Sequence, residues 1–135
     1  MMKKLLSTLV TVSLLFSCYK SNDDYLLIKQ IIGDSLVSNK EFKVLVLSLD
    51  GCIYCLDDAV YKINIDGSID ALILTSKNEN TSKIFLKNIN ESISTYTYKG
   101  EIPPDFFLKN ELKIILFDID GGKIVKKEPY EIFKN

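Results

Sequence analysis

The chain contains no histidine and no tryptophan. Without histidine there is no Ser-His or Cys-His nucleophile pair and no His-ligated metal centre. Cysteine is scarce as well, with three in 135 residues: Cys18, Cys52 and Cys55. A typical structural zinc site takes four sulfur or imidazole ligands. Two thiols beyond Cys18 could hold a metal only with carboxylates or a second chain, so neither a metal nor a cofactor is expected. Seventeen basic residues against eighteen acids leave a net charge of −1. With no basic cluster, that balance gives no electrostatic case for nucleic acid. Internal repeats and low-complexity tracts are also missing. Only one long uncharged apolar run exists, and it lies at the start.

That run is Leu5 to Phe16, preceded by Lys3 and Lys4 and followed by the small Ser17 and Cys18. A charged start, an apolar middle and a small residue at the cut are the parts of an export signal. The run is too short for a spanning helix, which needs roughly 20 residues. Leu15-Phe16-Ser17-Cys18 resembles a bacterial lipobox. The resemblance implies cleavage before Cys18, a diacylglyceryl thioether on its sulfur and acylation of the new amine. Acyl chains anchor by roughly 0.8 kcal/mol per buried CH₂, so several chains hold a small domain at a membrane. Residues 1–17 are thus expected to be a signal peptide, 18–24 a lipidated tether and 25–135 one domain. The expected location is the bacterial cell envelope. Removing 1–17 takes away two lysines and no acid, so the side-chain charge moves from −1 to −3. What remains is enough chain for one buried core, and a monomer is expected.

Residues 24–36 are open between a helix and an irregular strand entry. Leu26, Leu27, Ile31 and Ile32 would share a helical face, but Gly33 interrupts it. Phe42 to Leu49 is continuously apolar apart from Lys43 and Ser48, as in a strand covered on both faces. Asp50-Gly51 ends it. Cys52 to about Ile63 then reads as a helix, with Leu56, Val60 and Ile63 at i, i+4 and i+7. Asp57 and Asp58 fall in its first turns, where carboxylates suit the helix dipole. Ala71 to Leu74 is a buried-type strand. Thr81 to Ile89 is a helix with Ile84, Phe85 and Ile89 on one side. Ser94 to Tyr98 alternates as a half-exposed strand. Residues 101–111 form a loop or short helix containing Pro103-Pro104. Leu112 to Phe117 is a strongly apolar strand, and 123–127 returns as its hairpin partner after Gly121-Gly122. Residues 129–135 are expected to close the chain with a short helical turn. Alternating strands and helices imply an α/β fold with a partly parallel sheet. The two most apolar runs, 44–49 and 112–117, are expected to be adjacent central strands.

Cys52-Ile53-Tyr54-Cys55 falls where a buried strand meets a helix. Orphan N–H groups and the positive dipole end at a helix start stabilise a thiolate. An even pair of cysteines in an exported chain favours disulfide chemistry. Together with the strand 44–49 before it and the hairpin 112–125 after it, the motif resembles the thioredoxin-like superfamily, in its exported, membrane-tethered branch. The resemblance implies a three-layer sandwich with a central mixed sheet and flanking helices. It also implies a thiol-disulfide oxidoreductase: Cys52 attacks, Cys55 resolves, and protein thiols or disulfides are the partners. The chain departs from the family in carrying Gly51 where members have tryptophan, and no proline directly before Leu112. Asp50 opposes thiolate formation. A second reading therefore stands beside the first: a binding or assembly lipoprotein in which a Cys52–Cys55 disulfide only caps a helix. Lesser candidates are an Asp118/Asp120 calcium loop, which lacks EF-hand spacing, and a ring-binding surface at Tyr96 and Tyr98, more simply read as a half-buried sheet face.

Overall fold

The computed structural model describes residues 23–34, 41–50, 56–107 and 113–132. Helix α1 (23–32) precedes strand β1 (Phe42–Ser48), helix α2 (Leu56–Ile65), β2 (Ala71–Thr75), helix α3 (Glu79–Leu86), β3 (Ser94–Tyr98), β4 (Ile114–Asp120) and β5 (Lys123–Pro129). The strands form one mixed sheet in the order β3-β2-β1-β4-β5. β1, β2 and β3 are parallel, and β4 and β5 are antiparallel to their neighbours. The protein is α/β, with helices on both faces of the sheet. As the apolar patterns require, β1 and β4 lie side by side, with Val46 opposite Ile115.

Physical constraints explain the layering. The connections β1–α2–β2 and β2–α3–β3 step the same way along the sheet. Parallel crossovers share one hand, so both helices belong on one face. There Ala59, Ile63 and Phe85 pack on Leu45, Leu47, Leu72 and Leu74. The odd residues of β1 serve this face, and the even ones serve the other, following the two-residue strand period. Val44 and Val46 meet Ile28 and Ile32 of α1, together with Phe106 and Phe107. The chain must leave edge strand β3 and reach β4 on the far side of β1. Its connection supplies Phe106, packed against the Phe107 ring at 5.4 Å and the Phe117 ring at 5.1 Å.

Local chemistry sets several element ends. Asn78 caps α3, its side-chain oxygen accepting from the N–H of Asn80 and Thr81 at 3.0 and 3.4 Å. The β4–β5 hairpin closes through Gly121 and Gly122 at φ 59° and 76°, the paired positive values a two-residue primed turn needs. Segment 24–36 resolves as helix through residue 32, and Gly33 at φ 77° terminates it rather than interrupting it. The helix buries Ile28 and Ile32, whereas Leu26 is exposed, contrary to the expected face. Ile84 is likewise exposed, because α3 turns Ser82 and Phe85 inward. Residues 130–132 are not helical; Tyr130 and Ile132 instead pack irregularly on the α2 face. The expected export signal, Cys18 and the expected tether up to residue 22 lie outside the described residues, as do Cys52 and Cys55.

Candidate functional site

The parallel strands β1, β2 and β3 end together, and their carboxyl ends form the floor of a cleft. In open α/β sheets this is where ligands bind, because side chains of the following loops converge there. The cleft encloses about 460 Å³. Its floor carries the nearly buried hydroxyls of Ser48 and Thr75. One wall is apolar, from Ile102, Pro103 and Phe107; Tyr98 stands at the β3 end. Lys77, Lys99 and Lys113 line it together with Asp50 and Glu101.

Backbone contacts hold this end of the sheet. The Leu49 N–H donates to the Thr75 carbonyl at 2.9 Å, continuing the β1–β2 ladder past the strand. The Ser48 N–H donates to the Lys113 carbonyl at 3.1 Å, tying β1 to the residue that enters β4. Lys113 sits at φ 46°, in the left-handed region that few non-glycine residues occupy. Such a conformation costs roughly 1–2 kcal/mol, so its neighbours must hold it in place. Asp50 accepts from the Lys77 N–H at 3.1 Å, which fixes its carboxylate at the cleft. Glu79 joins Lys83 at 3.5 Å and Lys99 at 3.2 Å, and Lys99 first, then Lys83, pull its carboxyl below the usual value. Lys77 and Lys113 have no carboxylate partner among the described residues. A Cβ on Gly100 would collide with the Tyr98 ring, so this glycine permits the ring to fold over the chain.

The five residues 51–55 connect Asp50 to α2, and the motif thiols belong to this connection, outside the described residues. Asp57 and Asp58 occupy the first turn of α2 and are exposed. Pro104 lines the cleft, but in the chain it does not directly precede β4, which begins at Ile114. Asp118 faces Lys43 at 3.6 Å within β4, and Asp120 ends the strand; among the described residues no group of three or more potential ligands gathers. Tyr96 and Tyr98 pack partly against the α1-side core, as a half-buried strand face does.

Sequence reasoning missed Lys77 and Lys113. No local pattern singles out a lysine whose importance comes from the strand order and from a positive φ. No protein-family model matches the chain, and no curated protein or solved structure matches it either.

Proposed function

We propose that this chain is a lipid-anchored, exported thiol-disulfide oxidoreductase with a thioredoxin-like fold, in which Cys52 attacks and Cys55 resolves. The observation that carries the reading is the position of the motif in the chain. Cys-Ile-Tyr-Cys joins the carboxyl end of β1, the buried central strand, to α2, whose first turn carries Asp57 and Asp58. The mixed sheet, with β4 next to β1 and a terminal hairpin, is compatible with the same reading.

In the reductive direction the Cys52 thiolate attacks one sulfur of a substrate disulfide. A mixed disulfide forms, and the departing substrate thiolate takes a proton. Cys55, as thiolate, then attacks Cys52 and releases the second substrate thiol. The Cys52–Cys55 pair ends oxidised by two electrons, and an external dithiol must reduce it again. The chain's own residues set the thiolate balance. Asp50, two residues before Cys52 in the chain, would oppose a negative sulfur, whereas the amino end of α2 would favour one. A helix terminus contributes about 0.3–1 kcal/mol when exposed, and one pKa unit is about 1.4 kcal/mol. The expected Cys52 is therefore only mildly acidic.

The test is a thiolate titration of the Cys55→Ser variant together with a search for trapped mixed disulfides. A Cys52 value below the ordinary ~8.5, trapped partners, and loss of dithiol exchange in Cys52→Ser support the enzyme. An ordinary or raised value with nothing trapped would favour the structural-disulfide reading, to which the fixed Asp50 carboxylate lends weight.

A further inference from the structure

The anchor chemistry and the fold together determine which side of the domain meets the membrane. We propose that the β5 edge of the sheet faces the bilayer and rests on its phosphate-bearing headgroups; the inference rests on lipidation at Cys18. Helix α1 is already formed at Asp23, five residues after Cys18. Five extended residues reach at most roughly 17 Å, so the start of α1 stays close to the lipid surface. That start is pinned to β5. The Asp24 carboxylate meets Lys127 at 2.7 Å, and both side chains are largely buried, at 15% and 21% exposure. Lys127 also lies over the Phe106 and Phe117 rings at 5.3 and 5.6 Å. The clamp fixes the start of α1 beside β5.

The β5 edge suits that position. With Lys127 neutralised by Asp24, Lys123 and Lys126 against Glu128 leave the strand at +1, within a cleaved chain whose side chains sum to −3. Lys126 shares its charge with Glu128 at 2.9 Å, and Asp120 lies opposite Lys123, so the attraction is short-range. The ladder shifts between Asp118 and Ile119, which leaves Val125 without an opposite residue and 55% exposed. Leu26, in the first turn of α1, is 53% exposed. β3 lies four strand spacings away, roughly 19 Å at about 4.8 Å each. It has no lysine and points from the bilayer.

Lysines on an edge strand also guard it against pairing with another chain, and a charge reversal separates the two roles. Glutamates at positions 123 and 126 would still guard the edge, but headgroup phosphates would repel them. The chain lacks tryptophan, so one introduced indole reports without background. The experiment takes the full lipidated chain in phosphatidylethanolamine–phosphatidylglycerol vesicles that carry a headgroup-level quencher. Val125→Trp is compared with Thr95→Trp, and Lys123→Trp serves as a second reporter should the bulge reject an indole. Mass spectrometry first establishes the lipid on Cys18. The β5 reporters should be quenched several times more than Thr95→Trp. Lys123→Glu/Lys126→Glu, or 1 M salt, which shortens screening to about 3 Å, should reduce that excess. Equal quenching at both edges on a lipidated chain overturns the orientation alone. An excess that charge reversal and salt leave unchanged overturns the headgroup contact. An unmodified Cys18 overturns the anchor and the orientation with it.

Discussion

Tyr130 and Asp66 link the last described segment to the turn after α2. The Tyr130 hydroxyl donates to Asp66 at 2.9 Å, and its ring lies 4.8 Å from the Lys62 ammonium. Burial, then the neighbouring Asp66 carboxylate, pushes the Tyr130 hydroxyl well above the usual phenol range. Burial also pushes the Asp66 carboxyl up. The Ser68 hydroxyl and N–H, the Tyr130 hydroxyl and Lys43 outweigh it and leave Asp66 below its ordinary value. The two shifts act at opposite ends of the pH scale. A raised phenol stabilises the fold below the unfolded value of about 10 and loses that stabilisation as pH climbs through the folded one. A lowered carboxyl stabilises above the ordinary carboxylate value and loses it as pH falls through the folded one. Urea midpoints measured against pH should therefore stay level near neutrality and decline past about pH 10. Tyr130→Phe should cost about 1 kcal/mol at pH 7 and flatten the alkaline decline. An alkaline limb identical to wild type would remove Tyr130 from the account.

Among the elements, the β4–β5 hairpin rests most directly on its turn. Gly121 at φ 59° has open space around it, so an alanine there meets backbone strain and no clash. Gly121→Ala should cost about 1 kcal/mol, and Gly121→Asn less, because asparagine tolerates the left-handed region; chemical denaturation of the two variants gives the comparison. The hairpin was also among the most legible elements, because Asp-Gly-Gly-Lys between apolar runs announces its own geometry. β1 and β4 were legible through continuous apolarity, although β4 begins at Ile114 rather than Leu112. The helices were harder to read. The inner face of α1 runs through Ile28 and Ile32, four residues apart, but adjacent Leu26, Leu27 and Ile31 blur the stripe. In α3, Ile84 and Phe85 are neighbours on a helix and cannot both face the core, and hydropathy alone does not choose between them. Much of the cleft was invisible for a different reason. Lys77, Tyr98 and Lys113 meet only because β2, β3 and the entrance to β4 end at one side of the sheet, and no spacing along the chain encodes that.

At the scale of the whole molecule, α1 is structural. It covers the face formed by Val44, Val46, Ile73, Ile115 and Phe117, all nearly inaccessible to solvent. A chain starting near Glu41 would expose that face. It should fail to give a dispersed amide spectrum or should associate in size-exclusion chromatography, whereas one starting at Tyr19 should fold as a monomer. A well-dispersed monomer without α1 would show that Phe106 and Phe107 suffice as a cover.

The sheet order also governs the sequence in which a newly made chain can complete its core. β1 meets β2 after a short excursion, with Val46 paired to Ile73. Its other neighbour is β4, where Val46 pairs with Ile115, some seventy positions downstream. A chain that emerges from its N-terminus therefore presents its central strand with one flank open until nearly all of it has been made. Loop closure over such a span is entropically costly and slow. During that interval the incomplete domain is at its most vulnerable to proteolysis and most in need of a holding chaperone.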